Sequence, residues 1–127
     1  MIEPSFHDPA SKKVIGCAIE VHKHLGPGLL ESAYERCLAF ELQQSGIAFR
    51  QQVPLPVAYK GIDLDCAYRM DLVEDDCLVL EIKSVEQLLP IHEAQILTYL
   101  KLSRLKLGLL QNFNSALLRD GIRRFAL

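Results

Sequence analysis

The N-terminal part of the chain repeats its apolar residues with the period of an α-helix. Ser11 is a candidate N-cap, and the apolar stripe behind it consists of Val14, Cys17, Ala18, Val21 and Leu25. This first helix is predicted to end at Gly26-Pro27-Gly28. A second helix is predicted from about Leu29 to Ser45, with Gly46 as its left-handed terminator. The residues predicted to be buried on it are Leu30, Ala33, Cys37 and Phe40.

Beyond Gly46 the apolar period changes to two, which is typical of β-strands. Residues 49–57 contain two prolines and suit an edge strand or an entry loop. A hairpin turn is predicted at 59–62. Further strands are predicted over 62–73 and 77–83, joined through Glu74-Asp75-Asp76.

The C-terminal part adds a third helix and more strand. This helix is predicted from Pro90 to about Leu102, and its predicted buried residues are Ile91, Ala94, Leu97 and Leu100. A strand follows over 106–111, and Asp120-Gly121 is predicted to turn a closing hairpin between 116–119 and 122–125. The order of elements predicts an α/β (α+β) fold in which helices pack on a mixed sheet.

The composition fits one compact domain over residues 1–127, with a loose segment at 1–10. The chain has 127 residues, of which 50% are hydrophobic, so it can bury a core of its own. No apolar stretch reaches the roughly 20 residues that span a bilayer, and the first residues lack the order of a secretion signal. We therefore expect a cytoplasmic protein that does not enter a membrane.

Cysteine usage and net charge narrow the chemistry further. Cys17, Cys37, Cys66 and Cys77 are far apart and lack zinc-finger spacing, so we interpret them as reduced, small core residues. The net charge of −2 provides no overall attraction for a polyanion, although a local basic strip would suffice for nucleic acid.

The strand at 77–83 ends on charged residues, which are costly to bury alone. Glu81 and Lys83 share one of its faces, while Leu78, Leu80 and Ile82 occupy the other. Asp71, on the preceding strand, joins the Glu81 face only if the loop between the strands has an odd number of residues, such as 75–77, or if a bulge restores the parity.

If the two acids converge, they repel each other, and a hard divalent cation such as Mg²⁺ or Mn²⁺ would relieve the repulsion. Lys83 could then position or deprotonate a water, or neutralise charge on a phosphate. The alternative is a partly solvated ion-pair network at a strand end.

Two polar stripes on predicted helices favour the functional interpretation. Glu31, Tyr34 and Glu35 lie at i, i+3 and i+4 just past the glycine-rich turn. On the third helix a second stripe consists of His92, Gln95 and Tyr99. Each stripe alone is typical of a solvated face, but both occur around Asp71 and Glu81-x-Lys83.

These residues together resemble a known family. The segment GLLESAY, with Gly28, Glu31 and Tyr34, resembles the signature of the GxxExxY family. Asp71 with Glu81-Ile82-Lys83 resembles the core of the PD-(D/E)xK nuclease superfamily, and Gln95-x-x-x-Tyr99 is similar to a motif of its RecB and lambda exonuclease branch. The similarity extends over about 13–126, and Met70 departs from the small residue that the family tends to have there.

The resemblance implies a restriction-endonuclease-like core, a four-stranded mixed sheet flanked by helices, and a role for each matched residue. Asp71, Glu81 and the Ile82 carbonyl would bind Mg²⁺ or Mn²⁺, and Lys83 would act on the attacking water. Glu31 would complete the site, oriented by Tyr34. Gln95 and Tyr99 would support the metal or the substrate phosphate. His22, preferred to His24, is a candidate further ligand, although packing is the simpler interpretation.

The function implied is hydrolysis of phosphodiester bonds in nucleic acid, with DNA favoured over RNA. Candidate phosphate contacts are Lys60, Lys101, Arg104, Arg119, Arg123 and Arg124, and the clusters at 101–106 and 119–124 could converge into one strip. A domain of this size would need a second protomer to grip a long duplex, so a homodimer is a candidate assembly. The alternative functions are a non-catalytic nuclease-like module that binds a partner, and a small-molecule hydrolase that uses the same metal.

Overall fold

The structure is a computed structural model that describes residues 2–3, 9–64 and 68–127. The described helices are α1 (Pro9–Leu25), α2 (Glu31–Gln44), α3 (Pro90–Ser103) and a 3₁₀ helix (Leu118–Gly121). The described strands are β1 (Ile2–Glu3), β2 (Phe49–Pro54), β3 (Val57–Tyr59), β4 (Ile62–Leu64), β5 (Arg69–Glu74), β6 (Leu78–Lys83), β7 (Leu107–Asn112) and β8 (Ile122–Ala126).

Six of these strands form one mixed sheet, in the order β1-β8-β7-β6-β5-β2. The β6–β7 pair is parallel and the other neighbouring pairs are antiparallel, while β3 and β4 form a separate hairpin. The predicted fold class, a mixed sheet flanked by helices, is confirmed. The sheet has six strands rather than four because it extends through the two-residue β1 at one edge and β2 at the other.

The two faces of the sheet are covered by different helices. Leu78, Leu80 and Ile82 of β6 pack in one core with residues of α1 and α2, and Val79 packs in a second core with residues of α3. Because successive strand residues point to opposite faces, Glu81 and Lys83 lie on the α3 face. Helices on both sides bury β6 along its length, so a charged residue here is removed from water.

The first predicted helix is confirmed, although it begins at Pro9 rather than after a loose segment of ten residues. Its stripe is buried at Val14, Cys17, Ala18 and Val21, whereas Leu25 is 39% exposed. Ile2–Glu3 pairs with β8, so part of the predicted loose segment is ordered as an edge strand.

The predicted buried faces of α2 and α3 are wrong in part. Leu30 is 76% exposed, Phe40 56% and Ile91 67%. Leu100, predicted to be buried on α3, is fully buried. The other residues that pack inward are Tyr34, Leu38, Ala39 and Leu42 on α2, and Ile96 and Tyr99 on α3. Both helices carry apolar side chains on more than one side, so the periodicity alone could not show which side meets the sheet.

The strand predictions are confirmed in outline. Phe49–Pro54 is an edge strand, and Lys60-Gly61 turns the β3–β4 hairpin with positive φ at both residues (50° and 83°), as a type I′ turn requires. The single strand predicted over 62–73 is divided into β4 and β5, and residues 65–67 between them lie outside the described residues.

The turn predicted at Asp120-Gly121 is wrong, because these residues belong to the 3₁₀ helix. The antiparallel partner of β8 is β7, not residues 116–119. A longer connection, closed by hydrogen bonds near Asn112 and Leu117, therefore replaces the tight hairpin.

Two further predictions concern the cysteines as core residues and the absence of a membrane-spanning helix. Cys17, Cys37 and Cys77 are free thiols, and Cys66 lies outside the described residues. Cys77 is exposed in the β5–β6 turn, so the prediction that it is a core residue is wrong. Within residues 9–64 and 68–127, none of the helices is long and apolar enough to cross a membrane.

Candidate active site

The β5–β6 turn sets the register that brings Asp71 and Glu81 together. It consists of residues 75–77, the odd number that the parity argument requires, and its two aspartates have positive φ (46° and 50°). The register pairs Leu72 with Leu80, so the next position places Asp71 opposite Glu81. Directly opposed residues of an antiparallel pair point to the same face. Both carboxyl groups therefore lie on the α3 face.

Each of the two carboxylates accepts a hydrogen bond from the main chain of the opposite strand. The Asp71 amide donates to Glu81 Oε2 at 2.9 Å, and the Ile82 amide donates to Asp71 Oδ2 at 2.8 Å. These bonds fix both side chains without a charged partner. Ile82 contributes here through its amide, and a role for its carbonyl stays a prediction.

Burial raises the pKa of both acids. Glu81 is 3% exposed, and desolvation, followed by the charge of Asp71, raises the pKa of Glu81 to about 8. Desolvation also raises the pKa of Asp71, against the stabilising hydrogen bond from Ile82. At neutral pH the pair therefore resists carrying two negative charges unless a cation binds.

Lys83 follows on the same face and is held by α3. Its Nζ donates to Gln95 Oε1 at 3.0 Å, and Gln95 Nε2 donates to the Tyr99 hydroxyl at 3.1 Å. Burial, and then the charge of Glu81, raises the pKa of Tyr99, so its hydroxyl stays protonated. Gln95 and Tyr99 thus form a chain of hydrogen bonds that positions the ammonium group of Lys83. The Q-x-x-x-Y spacing places these two residues one helical turn apart, within hydrogen-bonding distance.

Glu31 lies at the first position of α2, beside the end of β6. Glu31 Oε2 accepts from the Ser84 amide at 3.2 Å, and Ser84 Oγ donates to the Leu29 carbonyl at 2.6 Å. These two bonds connect the segment after Lys83 to the glycine-rich turn. Glu31 is close enough for its charge to contribute to the raised pKa of Asp71, and one of its carboxylate oxygens is engaged by the main chain.

Tyr34 is placed differently from the prediction that it orients Glu31. It is fully buried, stacks on Phe113 with ring centroids 4.7 Å apart, and bonds to the turn. Its hydroxyl donates to the Gly26 carbonyl and accepts from the Leu29 amide. Its hydroxyl bonds thus shape the turn that leads into α2, and any effect on Glu31 acts through that backbone.

Glu35 is an acid near the site that the sequence interpretation did not assign a role. It accepts hydrogen bonds from Gln51 at 3.1 Å and Gln52 at 2.7 Å, and its charge contributes to the raised pKa of both Asp71 and Glu81. Gln52 occupies the register position opposite Asp71, between two paired positions of β2 and β5. The available signal was its place on the same helical face as Glu31.

Asn112 was also missed. It is buried at the end of β7, and its side chain accepts from the Val85 amide at 3.1 Å and donates to the Val85 carbonyl at 2.9 Å. These bonds hold the segment that leaves β6 against β7. No feature of the sequence apart from its place after an apolar strand indicated this role.

The contacts of His22 support its packing interpretation and not its candidate role as a further metal ligand. Its Nε2 donates to the carbonyl oxygens of Phe113 at 3.1 Å and Ser115 at 2.9 Å, and α1 packs on the face opposite to Asp71 and Glu81. The sheet therefore separates this ring from the acids. His24, the less favoured candidate, bonds to Glu20 on the same helix.

The predicted basic strip does not form. Lys101 and Arg104 are exposed at the C-terminal end of α3, next to the start of β7, and Arg119 is exposed beyond the end of β7. The six residues of β7 separate these groups by about 17 Å along the strand.

Arg123 and Arg124 point to opposite faces of β8, because Arg123 pairs with Leu110 and Arg124 with Leu109. Arg123 is 3.7 Å from Glu93. Arg124 is buried and donates to Ser11, so the prediction that it contacts phosphate is wrong. Lys60 lies at the tip of the β3–β4 hairpin, with its ammonium 5.3 Å from the centroid of the Tyr59 ring.

The donor set fits a hard divalent cation in one respect. The buried carboxylate of Glu81 faces the partly buried carboxylate of Asp71, and the repulsion between them is what a bound cation would offset. Among the described residues, no group of three His, Cys, Asp or Glu side chains could by itself hold a metal. Magnesium commonly binds through one or two carboxylates, with waters and substrate phosphate as the other ligands.

Comparisons with known proteins agree with this geometry. No curated protein and no solved structure matches the chain significantly. The family profile described as the PD-(D/E)XK nuclease superfamily matches residues 8–125. This range includes Asp71, Glu81, Lys83 and all of α1, α2 and α3. The chain therefore belongs to the PD-(D/E)XK nuclease superfamily.

Proposed function

We propose that this protein is a metal-dependent nuclease that hydrolyses phosphodiester bonds with Mg²⁺ or Mn²⁺, and that DNA is favoured over RNA. Within the superfamily we assign it to the GxxExxY family, on the segment from Gly28 to Tyr34, and to the RecB and lambda exonuclease branch, on Gln95 and Tyr99. Membership of the superfamily supports a nuclease-like function.

One observation carries the proposal. Asp71 and Glu81 lie on one face with their carboxylates anchored by the opposite strand, and Lys83 follows two residues later on that face. A scaffold has no need for a buried and a partly buried acid whose mutual repulsion destabilises the fold. In a catalytic centre the same arrangement is useful, because two converging carboxylates can bind a cation.

The chain's own residues divide the work of the reaction. Asp71 and Glu81, with the Ile82 carbonyl, would hold the metal, which when bound supplies Lewis-acid stabilisation of the phosphate and a more acidic water. Lys83, held by Gln95, places a positive charge where the water attacks and where the phosphate gains charge. Glu31 would complete the site from the start of α2, directly or through water.

Cleavage assays on matched variants test the proposal. Wild type, Asp71→Asn, Glu81→Gln and Lys83→Met would be assayed on fluorescent single-stranded and duplex DNA and on RNA, in Mg²⁺, Mn²⁺ or EDTA. We expect cleavage only with metal, and a loss of at least roughly a hundredfold in each variant. Asp120→Asn and Lys106→Met, which are exposed, serve as controls and should retain activity.

Activity that survives Asp71→Asn and Lys83→Met would contradict this proposal. Absence of cleavage in the wild type, with nucleic acid still bound, would favour the non-catalytic module instead. A homodimer is part of the proposal only for long duplex substrates, and light scattering with and without a duplex would measure it.

A further inference from the structure

An apolar groove lies directly beside the candidate active site. It has a volume of about 330 Å³ and runs between α3 and the β3–β4 hairpin. Its walls include Leu55 and Leu64 on one side and Ile91 and Leu102 on the other, with Tyr68 also lining it. Several of these side chains remain open to solvent, including Ile91 at 67% exposed and Tyr68 at 47%.

The groove and the site share two residues. Gln95 and Tyr99 line the groove, and the same two side chains hold Lys83 through the chain of hydrogen bonds described above. The groove is therefore adjacent to Lys83, the residue proposed to contact the phosphate. A ligand with an anionic group next to a flat apolar group would place the first at Lys83 and the second among the apolar walls.

We propose that this groove accepts an unpaired nucleobase of the substrate, so that the enzyme acts on single-stranded nucleic acid; this inference rests on the proposed function. A nucleotide has the required combination of a phosphate and a flat, weakly polar ring. In a duplex the bases are stacked inside, so only a single strand or an extruded base can enter. An aromatic ring such as Tyr68 offers a surface on which a base can stack.

The distribution of charge supports the same substrate. A protein that grips duplex DNA does so largely with lysines and arginines along its phosphates. This chain has a net charge of −2, its Arg124 is buried, and Lys101 and Arg104 lie at the far end of α3 from Lys83. Stacking in the groove provides binding energy that does not depend on a basic surface.

The size of the groove limits what it can hold. Small-molecule sites begin at about 300 Å³, so 330 Å³ has room for a base or two but not for a folded partner. Short apolar peptides remain the competing class of occupant, and the experiment separates them because a peptide groove would not discriminate between single and double strands.

The experiment measures binding separately from cleavage. Fluorescence anisotropy of a labelled oligodeoxynucleotide, single-stranded or annealed to its complement, would be recorded in Ca²⁺ and in EDTA, without Mg²⁺ or Mn²⁺, for wild type and variants. The variants are Tyr68→Ala, Tyr68→Phe and Ile91→Ala. The control is Phe40→Ala, an exposed aromatic in a groove between α1 and α2 on the other side of the sheet. Circular dichroism would verify that each variant is folded.

We expect wild type to bind the single strand at least tenfold more tightly than the duplex. Tyr68→Ala should weaken binding of the single strand about fivefold (about 1 kcal/mol, the loss of one stacked base). Ile91→Ala should weaken it in the same direction, while Tyr68→Phe and Phe40→Ala stay within about twofold of wild type because the first keeps the ring and the second is remote.

Equal affinity for single strand and duplex, or unchanged binding by both Tyr68→Ala and Ile91→Ala, would overturn the inference. Failure of the proposed function has a different result. If cleavage were insensitive to Asp71→Asn while Tyr68→Ala still weakened binding, the groove would stand as a nucleotide site and the catalytic assignment would fall.

Discussion

Glu81 is the residue at which the stability of the fold and the proposed metal site conflict most clearly. It is buried in the centre of the sheet, and its folded pKa of about 8 lies far above its ordinary value of 4.5 because of desolvation and the neighbouring Asp71. A carboxyl group in this state destabilises the metal-free protein at neutral pH. A bound cation would offset this cost, because it stabilises the ionised form of the carboxyl group.

Replacing Glu81 with glutamine should therefore stabilise the metal-free protein in a pH-dependent way. Below about pH 4.5 the carboxyl is protonated in the folded and the unfolded chain, so the variant should match wild type. Between that pH and about 8 the unfolded chain releases the proton first, so wild-type stability falls as the pH rises. Melting in EDTA should show Glu81→Gln higher in Tm by roughly 5 °C at pH 8.

The exposed Glu86→Gln is the matched control for this measurement and should melt like wild type across the range. A Glu81→Gln advantage that stays constant with pH, or that is largest at pH 5, would show that ionisation of the buried carboxyl is not the cause.

Gln95 bonds directly to the ammonium group of Lys83, and Tyr99 acts on it through Gln95. Removing both hydrogen bonds of the amide with Gln95→Leu should lower kcat roughly tenfold, as loss of a supporting hydrogen bond commonly does. Tyr99→Phe should have a smaller effect, because Gln95 keeps its bond to the ammonium. Steady-state kinetics across pH would measure both variants.

A positioning role predicts that kcat falls while KM changes by less than about twofold. Gln43→Leu on the exposed side of α2 serves as the control. An equal fall in Gln95→Leu and in that control would indicate a general loss of fold.

At the scale of elements, the position of α3 decides whether the lysine and the groove are correctly built. The helix lies close to the sheet because Gly108 has no side chain: a Cβ there would be 2.9 Å from Ile96 Cδ1 and 3.3 Å from Leu100 Cδ1. Ile96 is next to Gln95 in the sequence, so a displacement of the helix at this point reaches the site.

Gly108→Val should therefore destabilise the protein by about 1 to 3 kcal/mol, as expected for an overpacked core, and lower activity more than stability alone explains. The comparison is Gly16→Ala on α1, where a Cβ would meet nothing within 4 Å and where helix propensity favours alanine. Chemical denaturation and cleavage assays would measure both. A Gly108→Val protein with wild-type activity would show that α3 need not sit this close.

The elements also show what could be predicted from the sequence. The convergence of Asp71 and Glu81 follows from parity once the β5–β6 turn has three residues, and the period-two alternation of β6 placed Lys83 beside them. The inward sides of α2 and α3 could not be predicted, because Leu30, Phe40 and Ile91 are as apolar as the residues that are buried. Only the tertiary contact with the sheet distinguishes them.

At the scale of the whole molecule, the sheet separates the structural polar groups from the residues of the candidate site. The α1–α2 face holds buried, structural polar groups such as His22, and the α3 face holds the acids, the lysine and the groove. Sequence spacing does not show which face of the sheet a residue occupies. His22 and Arg124 could therefore be predicted for the site although neither lies in it. The long-range pairings of β6, β7 and β8 determine the face.

The central claim is that Asp71 and Glu81 together bind a hard divalent cation. Isothermal titration calorimetry with Mn²⁺ at pH 7.5 tests it most directly, in wild type, Asp71→Asn, Glu81→Gln and the Asp120→Asn control. We predict a metal site in wild type and in the control that each site variant weakens at least tenfold. Binding of Mn²⁺ by Asp71→Asn with the wild-type stoichiometry and affinity would contradict the claim.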